Sequence, residues 1–459
     1  MSVSIQQLQQ LRIFYNSGAT RTYDFRRQQL VKLQKAIRKH EAQLLDALQK
    51  DLHKSAAEGM LTEISFTLTE ISYALKHLQG WMKPANVPSP FLSFPSSSKM
   101  LRDPWGVALI IAPWNYPVQL LLGPLVGAIA AGNCCVLKPS ELAPATSVAL
   151  KKLLEETFES SFICVAEGDG AEVVPALING FRFDHIFYTG GVVVGKEIAK
   201  MAAEQLIPTV LELGGKSPCV VDKDVDIDVA AKRIVWGKFI NAGQTCVAPD
   251  YVLVHESRKK ELVQLMQKNM QGFYGNDPKA SPDYGRIIND KRFKKLVTYL
   301  SQGNVIDGGQ YDVEDKYIAP TLMDGIAPEQ PVMTEEIFGP ILPIYTYKDH
   351  DEALTFIGRN PDPLAFYLFT KNNKVIAKYE EQLPFGGGCI NNTLMHLANP
   401  ELPFGGVATS GIGSYHGKFG FDTFTRNKSV LQTGTWIDPS MKYPPYTKKK
   451  MGLLKWFLD

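Results

Sequence analysis

The sequence predicts an α/β protein with a doubly wound parallel sheet, a second α/β domain and a small β arm bridging them. Three observations carry that prediction. Between residues 105 and 212, continuous apolar stretches of strand length alternate with helical segments. A second alternation of the same kind begins after residue 246. A proline- and serine-rich stretch over 84–98 and a strand-like stretch near Val430 stand outside both. At 459 residues the chain is too long for one core, and a prior of about 150 residues per domain gives two or three.

In chain order, residues 5–80 carry helical periodicity. Leu30, Leu33 and Ile37, then Leu44, Leu45 and Leu48, recur at three- and four-residue spacing, as packing helices do. Pro84, Pro88, Pro90 and Pro95 then resist helix and predict an extended crossing arm. Strands follow at 107–112, 134–138, 162–166, 185–189 and 209–213, with helices at 117–131, 145–158, 171–177 and 193–203 between them. Five strands joined by short helical crossovers make a parallel sheet, and such sheets bind ligands beyond the carboxyl ends of their strands. The second alternation reads as strand 251–254, helices 258–274 and 290–302, strand 342–347 and helix 349–359. Two Pro-Phe-Gly-Gly tetrapeptides, at 384–387 and 403–406, have unmatched flanks and read as separate loops.

Composition excludes several classes. A net charge of +2 gives no field to attract nucleic acid. Six scattered cysteines, without Cys-x-x-Cys pairs or matching histidine spacings, offer no metal site and no disulfide framework. A reducing compartment, the cytoplasm, is therefore expected. The first 15 residues are polar where an export signal needs an apolar segment. The longest apolar run, 120–131, contains Gly123, Pro124 and Gly127 and falls short of the roughly 18 residues a membrane span needs.

Chemistry-bearing residues cluster at predicted strand ends. Cys246 lies in a polar, glycine-containing turn, and Glu212 ends an apolar strand before Gly214-Gly215. A thiol and a carboxylate so placed are a candidate nucleophile and general base; the plain alternative is a small buried cysteine. Asn115, in a proline-flanked turn, is a candidate oxyanion donor or simply turn chemistry. Lys138 and Glu141, three residues apart, suit the two hydroxyls of a ribose, against a reading as helix-capping and solvated charge. Gly190 and Gly191, followed by Gly195, lead from a strand into a helix whose amides can face an anion; a tight packing turn is the alternative. Gly168-Asp169-Gly170 is a weaker cradle, with Val173 where a third glycine belongs. Glu336 and Phe338 precede a glycine-proline turn and suit a polar contact plus stacking. Tyr116 and Trp236 either line an apolar tunnel or fill core.

Together these stretches resemble the aldehyde dehydrogenase superfamily. The carriers are Pro-Trp-Asn-Tyr-Pro at 113–117, Leu-Lys-Pro-Ser-Glu at 137–141, Leu-Glu-Leu-Gly-Gly-Lys-Ser-Pro at 211–218, Gly-Gln-Thr-Cys at 243–246, Glu-Ile-Phe-Gly-Pro at 336–340 and Pro-Phe-Gly-Gly at 403–406. Gln-Thr-Cys-Val-Ala-Pro-Asp at 244–250 and Gly-Ser-Tyr-His-Gly at 413–417 are most similar to its class 3 branch of fatty and aromatic aldehyde enzymes. The resemblance implies oxidation of an apolar aldehyde to its acid with NAD, NADP being the alternative. It implies a thiohemiacetal on Cys246, an oxyanion held by Asn115, and hydrolysis of a thioester by water that Glu212 activates. Lys138 and Glu336 are then expected at the two riboses, Glu141 at the adenosine hydroxyls, Phe338 behind the nicotinamide, and Gly190 and Gly195 with their helix at the pyrophosphate. The implied division is 1–83 with 104–211 as dinucleotide-binding domain, 212–420 as catalytic domain, and 84–103 with 421–459 as bridging, oligomerising arm and tail. A homodimer is the expected assembly.

Two departures qualify the resemblance. Relatives carry Phe-Thr-Gly-Ser where this chain has Tyr188-Thr189-Gly190-Gly191, which removes a hydroxyl from the phosphate turn. Membrane-anchored relatives carry a long apolar end, whereas this chain stops at 453–459 behind Lys448–450, a segment suited at most to weak interfacial contact or to covering apolar surface. Two other readings stay open: an acylating enzyme that passes the thioester to coenzyme A or phosphate, and an enzyme scaffold kept as a structural or binding protein.

Overall fold

The computed structural model of the protein describes residues 3–458. Its centre is a six-stranded sheet in which Ile163–Val165, Cys134–Lys138, Val107–Ile111, His185–Thr189 and Thr209–Glu212 lie side by side and parallel. The short strand Gly411–Ile412 returns from far along the chain to pair antiparallel at the edge, with Gly411 opposite Glu212. All five parallel strands fall where apolar runs predict them. They are buried almost throughout and mainly apolar because helices cover both faces, so their residues do not alternate toward water; the polar exceptions stand at strand ends, among them Lys138 and Glu212.

The N-terminal layer comprises Ile5–Asn16, Tyr23–Leu52 and Ser65–Met82. In the second of these Leu30, Leu33, Ile37, Leu44 and Leu48 are fully buried, the stripe their spacing predicts. At about 1.5–3 kcal/mol for each such side chain, this stripe outweighs the helix's exposed ion pairs, which contribute about 1 kcal/mol or less each. The apolar run near 120 is the helix Gln119–Ala131, buried between this layer and the sheet. Its Gly127 is required by contact: a Cβ there would lie 2.9 Å from backbone atoms of Gly420.

A second sheet of seven strands is ordered Asn304–Asp307, Thr321–Asp324, Ile341–Tyr347, Tyr251–His255, Pro218–Val221, Ala365–Phe369 and Gly387–Ile390. The expected elements over 251–359 are present, with Lys259–Tyr274, Asp290–Tyr299 and His350–Ile357 as helices. The strands Pro218–Val221 and Ala365–Phe369 and the helix Ile227–Phe239 complete the unit. The two Pro-Phe-Gly-Gly loops are separate in sequence yet touch, because a Cβ on Gly386 would sit 2.2 Å from the Gly405 carbonyl.

The proline-rich arm forms strands Ala85–Val87 and Ser96–Pro104, and Thr425–Thr433 pairs antiparallel with the latter from Pro104 to Ser96. After the arm the chain ends in the helix Lys448–Leu458. The side chains of 453, 454 and 456–459, on which the interfacial reading of the tail falls, lie outside the described residues. Among the described residues no helix is long and apolar enough to cross a membrane.

Candidate active site

Cys246 is presented by a strained turn. The helix Ile227–Phe239 ends, and Asn241, Ala242 and Gly243 then take positive φ of 52°, 50° and 73°. Gly243 has no room for a side chain, since a Cβ would lie 2.2 Å from the Gly339 carbonyl. Fully buried Gln244 clamps the turn: its amide nitrogen donates to the carbonyls of Asn241 and Arg286 at 3.0 and 2.9 Å, and its oxygen accepts from Ile288 N–H at 3.0 Å. Held this way, the half-buried thiol forms part of the wall of two cavities.

The first cavity, of about 170 Å³, is apolar. Tyr116 and Trp236 do line it, with Phe66, Leu120, Ile240 and Phe404. His416 also faces it, with Nε2 unpaired and burial pulling the imidazole down to about 3, so that it stays neutral.

The second cavity, of about 240 Å³, is glycine-lined and polar. Six of the nine residues to which the resemblance gives roles line it: Asn115, Gly190, Glu212, Cys246, Glu336 and Phe338, with Gly191 beside them. They meet because Asn115, Gly190 and Glu212 follow or end three neighbouring strands, while Glu336 and Phe338 precede Ile341–Tyr347 of the other sheet. Asn115 is buried, and its amide nitrogen donates one hydrogen to the Gln244 carbonyl at 3.1 Å. Both Glu212 oxygens are buried without a partner, and burial raises its carboxyl well above the ordinary value. Burial and Asp250 push Glu336 up to about 8, and its Oε1 is likewise unpartnered. The Cys246 thiol is pushed up to about 12 by burial and then by Glu336 and Glu212. The backbone amides of Cys246 and Val247 oppose the rise. Phe338 holds a positive φ of 47° and packs edge-on against Trp114 at 5.4 Å.

The other three stand apart from this cavity. Lys138 Nζ donates to the Pro139 carbonyl at 2.7 Å and to Glu141 Oε2 at 2.8 Å, at the end of the next strand outward. Burial works against the Glu141 charge, but Lys138 and backbone amides outweigh it and hold the carboxyl below its ordinary value. Gly195 lies one turn into the helix Val192–Glu204, where a Cβ would sit 2.6 Å from Leu213 and 3.2 Å from Tyr188, so its observed work is close packing of helix on sheet. Gly191 has open space around it, and the helix it opens has no side-chain cap. Val193 is 78% exposed beside those free amides. The weaker glycine stretch forms a helix cap, Asp169 accepting from Ala171 N–H at 2.8 Å.

Some lining residues carry no motif signal. Arg292, on Asp290–Tyr299, donates to the carbonyls of Glu336 and Ile337 and sits over the Phe338 ring at 5.8 Å. The segment Leu394–Ala398 reaches the apolar cavity from a loop whose sequence reads as ordinary connection, whereas His416 lies in the Gly-Ser-Tyr-His-Gly motif at 413–417.

A model of the aldehyde dehydrogenase family matches residues 17–430. The chain is 48% identical over 459 residues to the 4,4'-diaponeurosporen-aldehyde dehydrogenase of Staphylococcus aureus, covering all of this chain and 99% of that one. It is 45% identical over 449 residues to aldehyde dehydrogenase family 3 member B1 of Rattus norvegicus, covering 97% and 96%. The crystal structure of an NAD-dependent aldehyde dehydrogenase from Sinorhizobium meliloti superposes with a TM-score of 0.86 at 28% identity, covering 94% of this chain and 87% of that one.

Proposed function

The chain belongs to the aldehyde dehydrogenase family, within the class 3 group its motifs resemble, and from that premise we propose that it oxidises apolar aldehydes to carboxylic acids with NAD or NADP. The observation that carries this reading is the position of Cys246, in the wall of an apolar cavity and of a polar, glycine-lined one. The apolar cavity takes the substrate tail, and a relative named for 4,4'-diaponeurosporen-aldehyde agrees with an apolar substrate.

The residues present fit a dinucleotide. Unpartnered Glu336 Oε1 is an acceptor waiting for ribose hydroxyls, and the uncapped helix after Gly191 offers free amides to phosphate. Lys138 and Glu141 serve the other ribose, and the exposed Val193 gives a flat apolar rest for an aromatic base. Glu141 favours NAD, because a 2′-phosphate meets its charge. When bound, the nicotinamide supplies the hydride acceptor that turns a thiohemiacetal into a thioester.

The chain's own residues do the rest. The Cys246 thiol gives up its proton to solvent and the thiolate sulfur attacks the aldehyde carbon; the carbonyl π pair moves to oxygen, and that negative charge is met by the free hydrogen of the Asn115 amide and by the Cys246 N–H. Removing one such donor costs about a hundred- to a thousandfold in rate, which is the loss expected for Asn115→Ala. Glu212, unpaired beside the thiol, then takes a proton from water, whose oxygen attacks the thioester carbon and releases the acid and the thiol. That carboxylate favours water as acceptor over coenzyme A.

The six-stranded sheet with its N-terminal helices is read as the cofactor unit, the seven-stranded sheet as the catalytic unit, and the three-stranded arm as the dimer element. A nucleophile that must stay reduced suits the cytoplasm. The test is a panel of straight-chain alkanals and benzaldehydes followed by NADH formation. kcat/KM is expected to rise with chain length, and absence of NADH with every aldehyde would return the chain to the structural-scaffold reading.

A further inference from the structure

We propose that a buried ion pair outside the catalytic set, Lys54 with Glu63, positions Asn115 for its work. Both side chains are fully buried, with Lys54 Nζ 2.5 Å from Glu63 Oε1. They come from the N-terminal helical layer yet grip the 113–119 segment at the Asn115 carbonyl and just after it. Lys54 donates to the Asn115 backbone carbonyl at 2.8 Å, the same oxygen that Asn241 bonds at 2.9 Å. Glu63 Oε2 accepts the N–H groups of Val118 and Gln119 at 2.8 and 3.1 Å, capping from outside a helix that has no cap of its own.

A second route runs to the thiol turn. The Lys54 ammonium lies 3.8 Å from the centre of the Tyr116 ring, and the Tyr116 hydroxyl bonds Thr245, the neighbour of Cys246, at 2.6 Å. Glu63 reaches inward from a π-helical turn, Met60–Ile64, set between Ala56–Gly59 and Ser65–Met82. Such turns are rare, occur mostly as single turns inside α-helices, and are frequent at functional sites. Apolar side chains of the same volume would tie the layers together as well or better. What they cannot do is donate to the carbonyl of Asn115 and accept from the amides after it.

The inference rests on the reading of Asn115 as oxyanion donor, and a mutant cycle separates the two. The probe is p-nitrophenyl acetate, an ester that acylates Cys246 through the same kind of tetrahedral oxyanion and expels nitrophenolate without needing a cofactor. Lys54→Met is expected to slow acylation by about tenfold or more in the native background and by less than about twofold in Asn115→Ala. Equal slowing in both backgrounds, with Asn115→Ala itself slow, overturns the positioning role alone. Acylation at the native rate by Asn115→Ala overturns the reading of Asn115 and this inference with it. If Lys54→Met does not fold, Glu63→Gln, which keeps volume and one acceptor oxygen, goes through the same cycle with the same expectation.

Discussion

A carboxylate that is to take a proton from water must first lose its own, and Glu212 sits where that is hard. Burial without a partner favours its neutral form. The folded chain therefore keeps that proton at pH values where the unfolded chain, with an ordinary value of 4.5, has released it. Two consequences follow in opposite senses. Thioester hydrolysis, which needs the carboxylate, speeds up as pH rises; with an excess of aldehyde, kcat should climb as pH is raised above the ordinary carboxylate range in stopped-flow or steady-state assays, and a flat profile contradicts it. Stability contributed by this site falls over the same range, because the native state binds more protons than the unfolded state above pH 4.5. Glu212→Gln is then expected to melt above the native protein at pH 8, with the gap closing toward pH 5; calorimetry at both values checks it. Some of the residue scale was legible in the sequence and some was not. Cys246, Glu212 and Asn115 announce themselves by sitting at glycine or proline turns after apolar runs. Lys54, Glu63 and Arg292 do not, because each acts through a backbone carbonyl or amide far along the chain, and no local pattern records such a partner.

At the scale of elements, strands with apolar runs of four or five residues beside a turn were readable, and so were helices with a solvated face. Pro218–Val221 and Ala365–Phe369 are apolar runs of that length, but a proline opens the one and Pro361 and Pro363 stand just before the other, and proline reads as a loop signal. Gly195 shows the limit of motif reasoning on one helix. Its place in the sequence suggests a phosphate contact, while its surroundings show helix and sheet in contact through it. Gly195→Ala should cost about 1–3 kcal/mol by overpacking against Leu213 and Tyr188, read from the denaturant midpoint. It should also weaken NAD binding by moving the amides after Gly191. A variant as stable as the native chain would leave the phosphate contact as the reason for this glycine.

At the scale of the whole molecule, residues from two sheets meet at one thiol, and a third sheet of three strands forms the arm. The arm exposes Phe91, Leu92, Leu431 and Trp436 at 68%, 55%, 55% and 73%. Large exposed apolar side chains on one arm mark an interface, and the proposed occupant is a second copy of the chain. Sedimentation should give twice the chain mass, and Leu431→Glu with Trp436→Glu should shift it toward the monomer while the separated subunits keep the thiol turn intact. A native protein that sediments as a monomer contradicts the assignment. The central claim concerns order in time: one cysteine is acylated with release of NADH before a single carboxylate admits water. It is tested most directly by mixing Glu212→Gln with a saturating alkanal and NAD, following NADH in the first turnover and weighing the quenched protein. The account predicts a burst of about one NADH per subunit, slow turnover afterwards, and an acyl mass on the peptide carrying Cys246. Turnover at the native rate with no trapped acyl group would contradict it.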